Sequence, residues 1–141
     1  MRERGSALVL MPAAVLVFVV LGAIAVDFAV AFLGEREVSN AAAAAANDAA
    51  GAALDQDRFY ADGALRLDPV RAASVGRSSV RAAGLDHLGD VDVRVAVDRD
   101  APVVTVTVSA RVGYVFAKAL PGGPDGVTVE ASATATAEEQ D

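Results

Sequence analysis

Three patterns of apolar and polar positions succeed one another along the chain. The first is an unbroken apolar run. Residues 5–26 carry no charge over 22 positions, about 33 Å as a helix and close to the hydrocarbon thickness of a bilayer. A soluble helix of that length shows a polar face; this run, SALVLMPAAVLVFVVLGAIAV, is apolar on every side. The pattern predicts a single transmembrane helix. Arg2 and Arg4 precede it, and Glu35, Arg36 and Glu37 open an acidic remainder. The positive-inside bias then gives a cytoplasmic N-terminus and an extracellular C-terminal domain at the cell membrane. The expected layout is a cytoplasmic tail at 1–5, a transmembrane helix region at 6–33 and an extracytoplasmic domain at 34–141. A cleaved signal peptide ending at the small-x-small triplet Ala23-Ile24-Ala25 is the rival. The length of the apolar core and its resumption after Asp27 as FAVAFL favour the anchor.

The second pattern is alanine-rich. No proline occurs between Pro12 and Pro69, and Ala41 to Ala46 are six alanines in a row. Alanine is the strongest helix former, so one helix is expected from about 13 to 54, leaving the membrane as a rigid rod. Gly34 and Gly51 weaken it, each by about 1 kcal/mol relative to Ala. Val38, Ala41, Ala42, Ala45, Ala49, Ala52 and Ala53 form one smooth face, with Asn40, Asn47 and Asp48 opposite. That face either covers the chain's own sheet or meets a helix of another subunit. Residues 55–68 read as loop. A second helix is expected at 69–83, with Asp68 as its cap, Pro69 in its first turn and Gly84 as its stop. Val70, Ala73, Arg77 and Val80 share a stripe, while Arg71 and Arg81 point elsewhere.

The third pattern is strict alternation. Val91, Val93, Val95 and Val97 alternate with Asp92, Arg94, Ala96 and Asp98. Val104, Val106, Val108, Ala110 and Val112 alternate with Thr105, Thr107, Ser109 and Arg111, and a third run covers Val127 to Thr136. Period-two patterns bounded by Gly and Pro are strands. Three neighbouring antiparallel strands with one apolar face need a cover. The fold class is therefore α+β: an N-terminal transmembrane helix extending into a long alanine-rich helix, packed with a second short helix on a three-stranded antiparallel sheet. The threonine-dressed face is either solvent surface or a binding surface. Tyr114 and Phe116, beside Lys118 and Leu120, either protrude as a contact patch or fold over the end of the core; core closure is the expectation.

Composition removes most chemistry. The chain has no cysteine and one histidine, so thiolate metal sites and thiol nucleophiles are excluded. Its net charge of -7, without a basic stripe, argues against nucleic acid as a partner. His87 has no second histidine to share a metal and reads as a loop residue among solvated aspartates. Ser78 and Ser79 lack an activating motif, and the glycines at 122–126 are turn residues with no P-loop Lys-Ser or Lys-Thr after them. No enzyme, cofactor, metal or small-molecule substrate is expected. Asp27 remains, because a carboxylate within an apolar run is costly. It sits either among outer headgroups or inside an oligomer, paired with a donor on a neighbouring subunit. Gly22, Ala25 and Ala29 make a small-residue ridge of the kind that lets helices approach in membranes. These four are the assembly candidates.

The segment from Arg4-Gly5-Ser6 through the apolar helix, Ala25-Val26-Asp27 and Ser39-Asn40-Ala41 resembles TadE/TadG-like proteins of the tight-adherence (Flp) pilus system. Leu67-Asp68-Pro69 and the threonine-rich closing strands are similar to actinobacterial members. The resemblance implies a structural, minor pilin-like component of pilus assembly or secretion. Its partners would be membrane lipid and other pilus-assembly or pilin-like subunits, the latter met through the long helix. One departure is plain: prepilin-like members carry a Glu at the fifth position after the cleaved Gly, and counting from Ser6 that position is Leu10. The alternative is a membrane-tethered extracellular binding module unrelated to pili.

Overall fold

In a computed structural model of the chain, residues 4–54, 66–98 and 100–137 are described, with the side chains of the first helix described from Leu10 onward. Helix α1 runs without a break over Arg4–Ala52, 49 residues, or about 74 Å at 1.5 Å per residue. It begins earlier than the expected residue 13, with Pro12 inside it. As the ninth helical residue, Pro12 has no N–H to give the carbonyl of residue 8, and its ring crowds that carbonyl, a cost of about 3 kcal/mol in a helix interior. At the other end Leu54 leaves the helix and forms an isolated antiparallel bridge with Leu67. The expected loop at 55–68 lies largely outside the described residues.

Helix α2, Pro69–Ala82, starts as its sequence dictates: the Asp68 side chain accepts from the backbone N–H of Val70 and Arg71 at 2.8 and 3.3 Å. It stops where Gly84 takes the left-handed conformation, φ 72°. Its buried stripe is Ala72, Gly76 and Val80. Of the expected stripe Val80 is buried and Ala73 half-buried, while Val70 and Arg77 are exposed and Ala72 and Gly76 take the inward positions. Small residues take the inward positions here because α2 sits close to both α1 and β1. A Cβ on Gly76 would come within 3.1 Å of Val95 Cγ2.

Strands β1 (Gly89–Val97), β2 (Val103–Gly113) and β3 (Gly126–Thr136) form an antiparallel meander in the order β1-β2-β3. The β2–β3 register is unbroken from Val103↔Thr136 to Gly113↔Gly126. In β1 the register slips between Gly89 and Asp92, with Asp90 at φ 47°. This bulge sets Asp90 and Val91 against Ala110 alone; Val91 keeps the inward face but lies at the open end of the edge strand, 38% exposed. The other three valines of β1 pack on the core as expected.

Helix α1 lies across β2 and β3, and α2 lies between α1 and β1, all on one face of the sheet. The helix contributes Val38, Ala41, Ala42, Ala45, Ala46, Ala49, Ala50 and Ala53 to the core. Ala46 and Ala50 replace the expected Ala52, because the buried stripe is wide enough to take both neighbours of Ala49. Alanine buries little area, so the largest fully buried side chains are the valines Val38, Val80, Val104, Val106 and Val108, each contributing about 1.5–3 kcal/mol. What alanine supplies instead is distance: the helix backbone rests close on the sheet. At Gly34 an added Cβ would overlap Val112 Cγ2.

Gly34→Ala therefore combines a helix-propensity gain of about 1 kcal/mol with overpacking that costs about 1–3 kcal/mol. The overpacking wins, because the valine is stiff at χ1 and rooted in the central strand. Thermal melts in detergent should show Gly34→Ala destabilised and Gly34→Ala/Val112→Ala largely recovered. Gly51→Ala, where a Cβ meets nothing within 4 Å, should be stabilised by up to about 1 kcal/mol.

Candidate functional site

The sheet does not cover the lower part of α1. From Leu10 to Val26 the large apolar side chains are exposed, and this is the helix long and apolar enough to cross a membrane. Coverage by protein begins at Asp27, the buried charged residue among those described, 8% exposed. Strand β2 runs antiparallel in sense to α1, reaching Gly34 at Val112. The chain then continues down beside the helix as a connection from 114 to 125. Tyr114 N–H donates to the Asp125 carbonyl at 2.9 Å, closing the neck of that connection.

The Asp27 carboxylate is held at the lower end of this connection. The backbone N–H groups of Val115 and Phe116 donate to Oδ1 at 2.7 and 3.0 Å, and that of Ala117 donates to Oδ2 at 2.7 Å. These amides lead into a single 3-10 turn, Ala117–Ala119, and Asp27 caps it from another element. Three charge-assisted bonds satisfy both carboxylate oxygens, and none of the buried side-chain polar atoms among the described residues lacks a partner. Neither expectation for Asp27 named these partners: the donors are backbone groups of its own chain.

The other assembly candidates lie elsewhere on α1. Gly22, Ala25 and Ala29 are exposed, and a Cβ on Gly22 would meet nothing within 4 Å. At about 100° per residue the ridge they form lies roughly 160° round the helix from Asp27. The chain's own loop thus occupies one side of the helix and leaves the small-residue side open.

Tyr114 is half-buried, while Phe116 is 47% exposed and Leu120 65%. The expected closure of the core by Tyr114 and Phe116 is corrected: the loop is pulled down to Asp27, past the end of the sheet, so Phe116 has no core to cover. His87, expected among solvated aspartates, instead meets Glu37 of α1 at 2.8 Å, with both side chains about half exposed. A surface pair of this kind contributes about 0.2–1 kcal/mol. Ser79 Oγ donates to Asp48 Oδ2 at 2.6 Å, tying α2 to α1. On the far face of the sheet Thr105 meets Thr134 at 3.1 Å and Thr107 meets Ser132 at 3.0 Å, directly opposite pairs that satisfy one another. Among the described residues no group of three or more acidic, His or Cys side chains converges as a metal site would.

Residue type gave no warning of the Asp27 loop, because backbone amides carry no side-chain signature. The one available signal was the unexplained carboxylate itself. Comparison with family models, curated proteins and solved structures finds no match for this chain.

Asp27→Asn and Asp27→Leu test the clamp. Asn keeps one oxygen acceptor and turns an NH2 toward amide donors; Leu keeps none. Amide hydrogen exchange in detergent should rise at 115–117 in both variants, more in Leu, while β2 and β3 keep their protection. Unchanged exchange at 115–117 in Asp27→Leu would mean that the loop is held by something else.

Proposed function

We propose that this chain is a single-pass membrane protein with a cytoplasmic N-terminus. In this reading it is a structural, minor pilin-like component of Flp/Tad-type pilus assembly or secretion. It works through protein–protein contacts and carries out no chemistry. The observation that carries the proposal is the division of α1: one half has a face buried by the chain's own sheet and α2, and the other, from Leu10 to Val26, is bare and apolar. A bare apolar half of that length is compatible with water only if lipid or other apolar helices surround it. A helix shared in this way between a lipid-facing stem and a sheet-backed head suits a pilin-like subunit, which must be stored in a membrane and meet its neighbours along the stem. The open ridge at Gly22, Ala25 and Ala29 supplies a surface for such a contact.

The resemblance of the N-terminal segment to TadE/TadG-like proteins gives the pilus part of the proposal. The binding-module alternative gains little from the sheet, where Thr105 is paired with Thr134 and Thr107 with Ser132 across β2 and β3.

Two measurements test the two levels separately. Native vesicles washed in alkaline carbonate should retain the full-length polypeptide; its release would remove the anchor. Deletion of the gene should abolish or sharply reduce surface piliation, with recovery on return of the wild type. Normal piliation in the deletion strain would overturn the pilus assignment and leave the anchor standing.

A further inference from the structure

We propose that the 114–125 connection is a second membrane contact, an apolar tip that enters the outer-leaflet interface beside the transmembrane helix; this rests on the membrane reading above. Its level is fixed by the Asp27 bonds. Along α1, Asp27 lies seven residues below Gly34, about 10 Å at 1.5 Å per residue, so the loop hangs that far below the contact of Val112 with the helix. This places it at the end of the uncharged span of residues 5–26.

The side chains at that level are those of an interfacial segment. Val115, Phe116 and Leu120 are exposed at 46%, 47% and 65%, in a loop whose backbone is bonded to α1 and to itself. On the helix, Phe28, Phe32 and Leu33 are also exposed, so apolar surface continues above Asp27 as far as Glu35. Asp27 does not interrupt it, because its charge is turned inward onto three amides. The exposed Lys118 stands among these apolar residues, where a long cationic side chain reaches phosphate while its stem stays in the apolar layer. The loop tip, the helix residues Phe28, Phe32 and Leu33 and the lysine all lie at the end of the span, and the occupant that fits all of them is the phospholipid interface.

The chain has no tryptophan, so each single-Trp variant reports from one place. The full chain is reconstituted into phosphatidylcholine/phosphatidylglycerol vesicles containing lipids brominated at shallow or deep acyl positions. Four variants are compared: Phe116→Trp, Leu120→Trp, Leu16→Trp within the span, and Val70→Trp, which is 79% exposed at the start of α2. The expected result is that Trp at 116 and 120 emits to the blue of Trp at 70, escapes aqueous iodide and loses most intensity to shallow bromines. Trp at 16 should lose most to deep bromines. Emission at 116 and 120 like that at 70, quenched by iodide, overturns the loop contact while quenching at 16 preserves the membrane reading. Blue-shifted emission at 116 and 120 that bromines do not touch also overturns it, since protein then covers the tip. Absence of bromine quenching at 16 removes the membrane reading, and the loop proposal with it.

Discussion

The structure depends on how closely a helix backbone can lie on a sheet. From Ala41 to Ala53 the inward side of α1 is alanine, and at Gly34 no side chain fits at all. A stem of leucines would hold the sheet farther off. Close seating lets a single layer of valines from β2 fill the space between, and it sets the height at which β2 ends. Once Val112 is seated on Gly34, the chain leaving β2 has only the flank of α1 to descend along. The donors that reach Asp27 are therefore a consequence of the seating above them. Glycine at 34 and aspartate at 27 act together: one lets the strand arrive, the other fastens the loop that leaves it.

Much of this was legible in the sequence, because apolar period is a direct record of burial. The strict alternation in β2 named every inward residue, and the cap at Asp68 and the stop at Gly84 located α2. The errors have local causes. Val91 is left 38% exposed at the open end of the edge strand, next to a bulge at Asp90, and an aspartate before a valine does not announce a bulge. The stripe on α2 was partly misplaced because an amphipathic reading favours the larger residues, whereas the crowded junction of two helices and a strand selects Ala72 and Gly76.

The site was legible only by its anomaly. Asp27 stood out as a charge in an apolar run, and nothing in its neighbourhood along the chain suggested a partner within the same molecule. A carboxylate bonded to backbone N–H groups requires no particular side chain at 115–117; Val, Phe and Ala are as good as any. Gly34 was missed for a related reason. In isolation it reads as a weak point in a helix, and only the position of Val112 turns it into a contact. In both places the information lies in tertiary geometry that neither composition nor spacing encodes.

The same two residues determine whether the head can move on its stem. A glycine about two turns above the uncharged span would ordinarily be the place for a helix to bend. Here Val112 is seated on Gly34 from the side, the loop is bonded to Asp27 below, and Val38 and Ala41 are buried above. Bending at Gly34 would have to break contacts on both sides of the hinge at once. The rod and the sheet therefore tilt together, and the head inherits whatever orientation the lower half of α1 adopts. A chain built this way transmits a change in helix tilt or rotation directly to its sheet.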